Sequence, residues 1–354
     1  MKTRREFLTS VSAMAAAKFL KLAEQPLLKS YGIAYTSFPI RIRQGREMAG
    51  NQGHPLPAEK FIDLCHSFGG SGCQMDVAQL TSAEPEYLKR IRAQLEAKEM
   101  FMEFAVSART LENADAFAKV AASAHQLGVS RLRIACLSGR RYEDFHEMSK
   151  WQDFANHWKR TFKQAEPMLK QHKLLVGIEN HKDWLADEFV EMLKSVSSPY
   201  LGTCVDFGNN LALLEDSVEV AKKLAPYVVT THLKDMAVKL YPDGFELSEV
   251  ALGDGITPLA EIIGIIRKQR SDVHFCLEMI TRDPLKVPYK TDHYWITYER
   301  RDEARIKKFE STVLRRASKE PLPRITGLKP QEALAFEDDN LRRSGAYAKQ
   351  VLKS

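Results

Sequence analysis

Eight short apolar runs recur along this chain, each of the first seven followed by a stretch with helical spacing, and few architectures accommodate that rhythm. The runs are "YGIAYTSF" (31–38), "GCQMDVAQL" (72–80), "MFMEFAVS" (100–107), "SRLRIACLS" (130–138), "KLLVGIEN" (173–180), "YLGTCVDF" (200–207), "YVVTTHLKD" (227–235) and "VHFCLEMI" (273–280). Helical stretches near 57–68, 84–98, 111–127, 148–172, 187–196, 216–225 and 257–269 separate them. Continuous apolar runs of strand length point to a parallel sheet buried on both faces. Eight such βα units predict an α/β chain whose residues 30–285 close into a (β/α)8 barrel. An open doubly wound sheet usually carries a Gly-rich turn after its first strand, and "AYTSFPIRI" has none.

The remaining segments are read around that barrel. Residues 236–258 carry Gly, Pro and Asp and are expected to form a long loop over the mouth. Residues 286–354 form a C-terminal extension, with helices expected near 300–318 and 328–353 whose apolar spacing packs them on the barrel. At the N-terminus, Thr3-Arg4-Arg5-Glu6-Phe7-Leu8 followed by an Ala-rich stretch matches a twin-arginine export signal over 1–17. Its apolar part is too short to span a bilayer, so the expected setting is periplasmic or secreted, with the twin-arginine export machinery as a partner and no membrane association. Cys65, Cys73, Cys136, Cys204 and Cys276 show no C-x-x-C spacing and are expected as free thiols. A net charge of +6 over 354 residues, with both signs interspersed, gives no basic face for nucleic acid.

Barrel strands deliver catalytic residues at their C-terminal ends. Those ends carry Glu179, Asp206, His232 and Glu278 in the fifth to eighth strands. Singly, each has a plain structural explanation: a salt bridge for either glutamate, a turn cap for Asp206, a hydrogen-bonded core position for His232. Together they place four polar groups in apolar runs at one level, and a shared divalent cation accounts for them all. Three carboxylates and an imidazole suit Mn²⁺ first, with Mg²⁺, Co²⁺ or Zn²⁺ as alternatives. His181 and Lys234 are candidates to bind or polarise a substrate, Arg282 to reach it from beyond the eighth strand, and Gln74 and Trp184 to line the wall.

"VGIENH", "CVDFGN", "THLKD" and "CLEM" resemble the motifs of the xylose isomerase-like TIM-barrel family, which includes sugar isomerases, ketose 3-epimerases and inosose dehydratases. The resemblance implies that Glu179, Asp206, His232 and Glu278 are metal ligands and that Glu179 and Glu278 also form the proton-transfer pair. It further implies a sugar or sugar derivative as substrate and an isomerase or epimerase that abstracts a proton next to a metal-bound carbonyl. The chain departs from the ketose 3-epimerases at two places. Asn209 stands where they carry a substrate-binding His, and Val238 where they carry an Arg, leaving Asn209 as a substrate-binding candidate and Lys234 as the replacement charge. The alternative reading is a periplasmic lyase that releases the aglycone of 3-keto-glycosides by β-elimination at the same metal. A non-catalytic sugar-binding protein fits less well, because binding alone needs no pair of glutamates. Endonuclease IV shares the superfamily but needs a His at position 209. The C-terminal extension also offers a surface for a homo-oligomer.

Overall fold

The computed structural model of the protein describes residues 31–49 and 54–353, so the export pattern at 3–8 lies outside the described residues. Eight parallel staves close a barrel, as the rhythm of apolar runs predicts. They are β1 (Gly32–Ala34), β2 (Gly72–Asp76), β3 (Phe101–Ala105), β4 (Arg131–Ile134), β5 (Leu175–Glu179), β6 (Leu201–Asp206), β7 (Val228–Leu233) and β10 (Phe275–Leu277). Each pairs with its neighbours in sequence order, and β10 closes the circle between β7 and β1. Helices α2 (Ala58–Ser67), α3 (Pro85–Ala97), α4 (Ala114–Leu127), α5 (Met148–His172), α6 (Ala186–Val196), α7 (Ser217–Leu224) and α8 (Leu259–Gln269) surround it.

Local chemistry sets the helix limits. The Asn113 side chain accepts the Ala116 N–H at 2.9 Å and opens α4. Gly128 ends it at φ 71°, a left-handed position that glycine adopts without strain. Phe117, Ala121, Ala124 and Leu127 then fall on one buried face against the barrel. No helix among the described residues is long and apolar enough to cross a membrane. All five cysteines are free thiols.

The stretch expected as a loop over the mouth is instead an antiparallel hairpin, β8 (Asp235–Tyr241) and β9 (Gly244–Val250), to which β11 (Leu285–Val287) adds a third strand. Pro242 and Asp243 make its tight turn, while Met236, Val238, Phe245 and Leu247 direct their apolar groups into a second core. Tyr289, Tyr294, Trp295 and Phe309 complete that core, which lies apart from the barrel's own. Phe309 comes from α9 (Glu303–Thr312). Arg141 ties this layer to the barrel: its guanidinium lies 3.8 Å over the Trp151 ring, donates to Thr297 Oγ1 and O, and pairs with Glu188 at 2.7 Å.

A further helix, α1 (Pro39–Ala49), follows β1 where none was expected. The C-terminal helix α10 (Pro330–Val351) supplies its cap from a distance in sequence. Glu337 accepts the Ile40 N–H at 2.6 Å and the Arg41 N–H at 3.2 Å. Asn340, Ser344 and Leu341 on the same face reach Thr281, Leu252 and the barrel core. Burial pushes the Glu337 carboxyl up to about 7, against the pull of the two amides. An unfolded glutamate titrates near ~4.3, so the folded chain holds this proton more tightly. The resulting stability is fully present below about pH 4 and is lost as pH rises through about 7. Glu337→Gln is expected to flatten the fall in stability across that window in urea unfolding followed at several pH values. An unchanged pH profile would show that Glu337 does not titrate there.

Candidate active site

Stave register brings four side chains level at the C-terminal end of the barrel. The β6–β7 pairing shifts at Thr203/Cys204, which sets Asp206 directly beside His232. Gly202 permits the close approach, since a Cβ there would stand 2.2 Å from the Tyr227 carbonyl oxygen. Glu179 ends β5 and Glu278 follows β10. All four residues are buried, and one potential ligand atom from each lies within 4.8 Å of the others. His232 Nδ1 is 3.5 Å from Glu179 Oε1, 3.7 Å from Asp206 Oδ2 and 3.3 Å from Glu278 Oε2.

Each carboxylate has one oxygen committed outward and one facing this centre. Asp206 Oδ1 accepts the Gly208 and Asn209 N–H groups at 2.8 and 2.7 Å. Glu179 Oε2 accepts from Arg133 Nε at 2.6 Å and from Nη2, and Glu278 Oε1 accepts from Thr36 Oγ1 at 2.7 Å. On the inner side, Asp206 Oδ2, His232 Nδ1 and Glu278 Oε2 are buried and face one another rather than any backbone amide or hydroxyl. Lys234 brings counter-charge there, 3.0 Å from Asp206 Oδ2 and 2.6 Å from Glu278 Oε2. Three buried carboxylates share this single ammonium and one imidazole on their inner side, an arrangement that is costly without further positive charge. Convergent oxygens and one imidazole nitrogen fit a divalent cation, so these residues could hold one. Burial alone would raise the Glu179 carboxyl, but Arg133 and then His232 outweigh it and hold it well below the usual carboxylate range.

A chain of hydrogen bonds beneath the site fixes which nitrogen of His232 faces it. Arg131 can only donate, so its 2.9 Å contact makes His274 Nε2 an acceptor and leaves Nδ1–H to donate to Glu103 Oε1 at 2.7 Å. Glu103 is fully buried in the barrel centre. Burial would raise its carboxyl, but His274 and Arg131 outweigh that and keep it low, so it accepts only. It takes hydrogen bonds from Thr230 Oγ1 at 2.7 Å and from Gln74 Nε2 at 3.1 Å. Gln74 Oε1 is thereby left to accept from His232 Nε2–H at 2.8 Å. Nδ1 of His232 is then the nitrogen that faces the carboxylates, the atom through which it could bind a cation.

Cations gather on the hairpin side. Asn209 Nδ2 donates to Glu179 Oε1 at 2.8 Å, while its Oδ1 accepts from Lys182 Nζ and, at 3.4 Å, from Lys234 Nζ. Glu249 on β9 lies 3.6 Å from Lys234 and pairs with Arg282 at 2.7 Å. Lys182 sits at φ 59°, a left-handed conformation that costs a non-glycine residue about 1–2 kcal/mol. His181 Nδ1–H donates to the Leu137 carbonyl at 2.7 Å, and burial, then Lys182, holds its imidazole down to about 3. Asp183 spends Oδ1 on the His181 and Trp184 N–H groups, and burial lifts its carboxyl to about 7.

The structure thus gathers Glu179, Asp206, His232, Glu278, Asn209 and Lys234, with Arg282 at the edge, its side chain 32% exposed. Two residues expected on the wall lie elsewhere. Gln74 is in the barrel interior with its amide committed to His232 and Glu103. Trp184 packs against Trp151 and Phe154 in the helical layer. Arg133, Lys182, Glu249 and Glu103 were not anticipated. Glu103 and Arg133 interrupt apolar strands as Glu179 does, which is the signal that could have found them.

Comparison with known proteins extends this description. Residues 62–298 match the model of the xylose isomerase-like TIM barrel family. A stretch of 114 residues is 29% identical to 3-oxo-isoapionate decarboxylase of Pectobacterium atrosepticum; it spans 32% of this chain and 42% of that relative. The structure of D-psicose 3-epimerase in the presence of D-fructose superimposes with a TM-score of 0.57 at 13% identity, covering 92% of this chain and 100% of the other. A xylose isomerase-like TIM-barrel protein of Mycobacterium smegmatis in complex with magnesium gives 0.54 at 15% identity, covering 80% and 97%. At such identities the solved structures show a shared fold.

Gln74→Leu removes the acceptor that orients His232. It is expected to weaken Mn²⁺ binding about 10- to 100-fold in calorimetry while the far-ultraviolet circular dichroism stays native. Unchanged affinity would mean that the imidazole is oriented without Gln74.

Proposed function

This chain belongs to the xylose isomerase-like TIM-barrel family, and from that premise we propose that it is a divalent-metal-dependent sugar isomerase or epimerase. The observation that carries the proposal is the convergence of buried, inward atoms of Glu179, Asp206, His232 and Glu278 within 4.8 Å of one another, with Lys234 as the one cation among the described residues that reaches the inner oxygens of Asp206 and Glu278. The donor set favours Mn²⁺, with Mg²⁺, Co²⁺ and Zn²⁺ as alternatives. A divalent cation, when bound, supplies Lewis-acid stabilisation of negative charge on neighbouring substrate oxygens.

The chain's own residues would carry the proton. Glu179 and Glu278 stand on two sides of His232, each with its outer oxygen anchored and its inner oxygen directed at the centre. One takes the proton from the carbon next to a substrate carbonyl and the other returns one, to the opposite face for an epimer or to the adjacent carbon for an isomer. Asn209 links Glu179 to two lysines and so holds these three side chains together at the edge of the centre.

A second reading, β-elimination from a 3-keto-glycoside, begins with the same proton transfer. It is favoured by the departures from the free-ketose epimerases: Asn209 stands where they carry an imidazole, and Val238, buried in the second core, where they carry an arginine. The export pattern at 3–8 supports a periplasmic or secreted setting in which such glycosides are met.

The purified protein is expected to carry about one Mn²⁺ or related ion per chain, lost in a Glu179→Ala/His232→Ala double variant. With metal saturating, Glu278→Gln is expected to slow metal-dependent exchange of substrate C–H for solvent deuterium by about 10²- to 10⁴-fold, measured by NMR on ketoses and 3-keto-glycosides. Absence of metal, or exchange unaffected by the substitution, would overturn the reading.

A further inference from the structure

Lys182 is a buried cation without an anion. It is 2% exposed, and among the described residues it pairs with no carboxylate; its ammonium donates to the neutral amide oxygen of Asn209. That same oxygen also meets Lys234 at 3.4 Å, but Lys234 is paired with Asp206 and Glu278, so Lys182 is the ammonium of the two left without a carboxylate. Like charges so placed, cut off from water, repel unless an anion joins them. Burial, then Lys234 and Arg282, pulls the Lys182 ammonium down to about 8, against the opposing pull of the more distant Glu249 and Asp206. The left-handed backbone at Lys182 shows that the chain accepts strain to hold the side chain there.

Charge over the whole site points the same way. Glu179, Asp206, Glu278 and Glu249 are matched by Arg133, Lys182, Lys234 and Arg282, so a bound divalent cation leaves the centre positive by two when Asp183 holds its proton and by one when Asp183 is ionised. A neutral sugar would leave that excess buried and uncompensated, whereas a carboxylate would offset it with charge-assisted hydrogen bonds.

We infer that the substrate carries a carboxylate, seated between Lys182 and Lys234 beside Asn209, so that the enzyme acts on an oxidised sugar of the aldonate or uronate class. Arg282, partly exposed and joined to Lys234 through Glu249, marks the side from which the acid enters. The inference rests on the metal-dependent sugar reading above and narrows its substrate.

The test is calorimetric binding to the Mn²⁺-loaded full chain of acids paired with their uncharged counterparts: D-gluconate with D-glucitol, D-galactonate with galactitol, D-glucuronate with D-glucose. At least one acid is expected to bind more than about tenfold tighter than its counterpart. Lys182→Met is expected to abolish that preference, and Lys182→Arg to retain it, with Mn²⁺ stoichiometry the same in all three proteins. A panel in which no acid outbinds its neutral partner, or a Lys182→Met protein with the preference intact, overturns the inference. Titration with Mn²⁺ alone separates the two readings. If no metal binds, the metal-dependent function fails, while the same pairs measured in EDTA still decide whether a carboxylate is preferred.

Discussion

Three carboxylates within a few ångströms of one another, all cut off from water, repel strongly enough to disrupt a barrel mouth unless cations stand among them. Much of the upper half of this molecule follows from that demand. Arg133 enters from β4 to clamp the outer oxygen of Glu179, and Lys234 comes from the junction of β7 and β8 to stand between Asp206 and Glu278. The hairpin then brings Glu249 and encloses Lys234, so the roof completes the electrostatics as well as excluding solvent. Asp235, beside Lys234, accepts the Gly253, Gly255 and Thr257 N–H groups and pins the chain that leads from the hairpin back to the barrel.

Asn209 shows how a small change of side chain alters such a balance. An imidazole at this position could carry charge or a proton; the amide can do neither. It offers a donor to Glu179 and an acceptor to two lysines, and so makes a neutral bridge between the negative and positive halves of the site. Val238, packed in the second core, removes the other place from which a cation might have come.

The staves were legible in the sequence because parallel strands are buried on both faces and therefore read as unbroken apolar runs. The converging groups were legible because an acid or imidazole at the end of such a run has few reasons to be there. What escaped was set by distant contacts. Helix α1, "PIRIRQGREMA", carries no apolar stripe and is capped by Glu337 almost 300 residues away, about which local pattern is silent. The hairpin hid behind its Pro-Asp-Gly turn, although Met236 and Val238 alternate on one strand and Phe245 and Leu247 on the other. Sequence position alone does not place Gln74 or Trp184, because whether a polar or aromatic group points to the mouth or the interior depends on partners such as Glu103 and Trp151.

The polar thread through the barrel centre also constrains how this protein can change over time. Arg131, His274, Glu103, Gln74 and His232 each satisfy the next, and the direction of every hydrogen bond is set by its neighbour. Replacing one member strands the following one in a dry interior, so substitutions that would be tolerable together are harmful singly. Descendants of this chain are therefore expected to keep the thread whole or exchange it as a block for apolar packing. Its members should vary in concert even though Arg131 and His232 lie at opposite ends of the barrel.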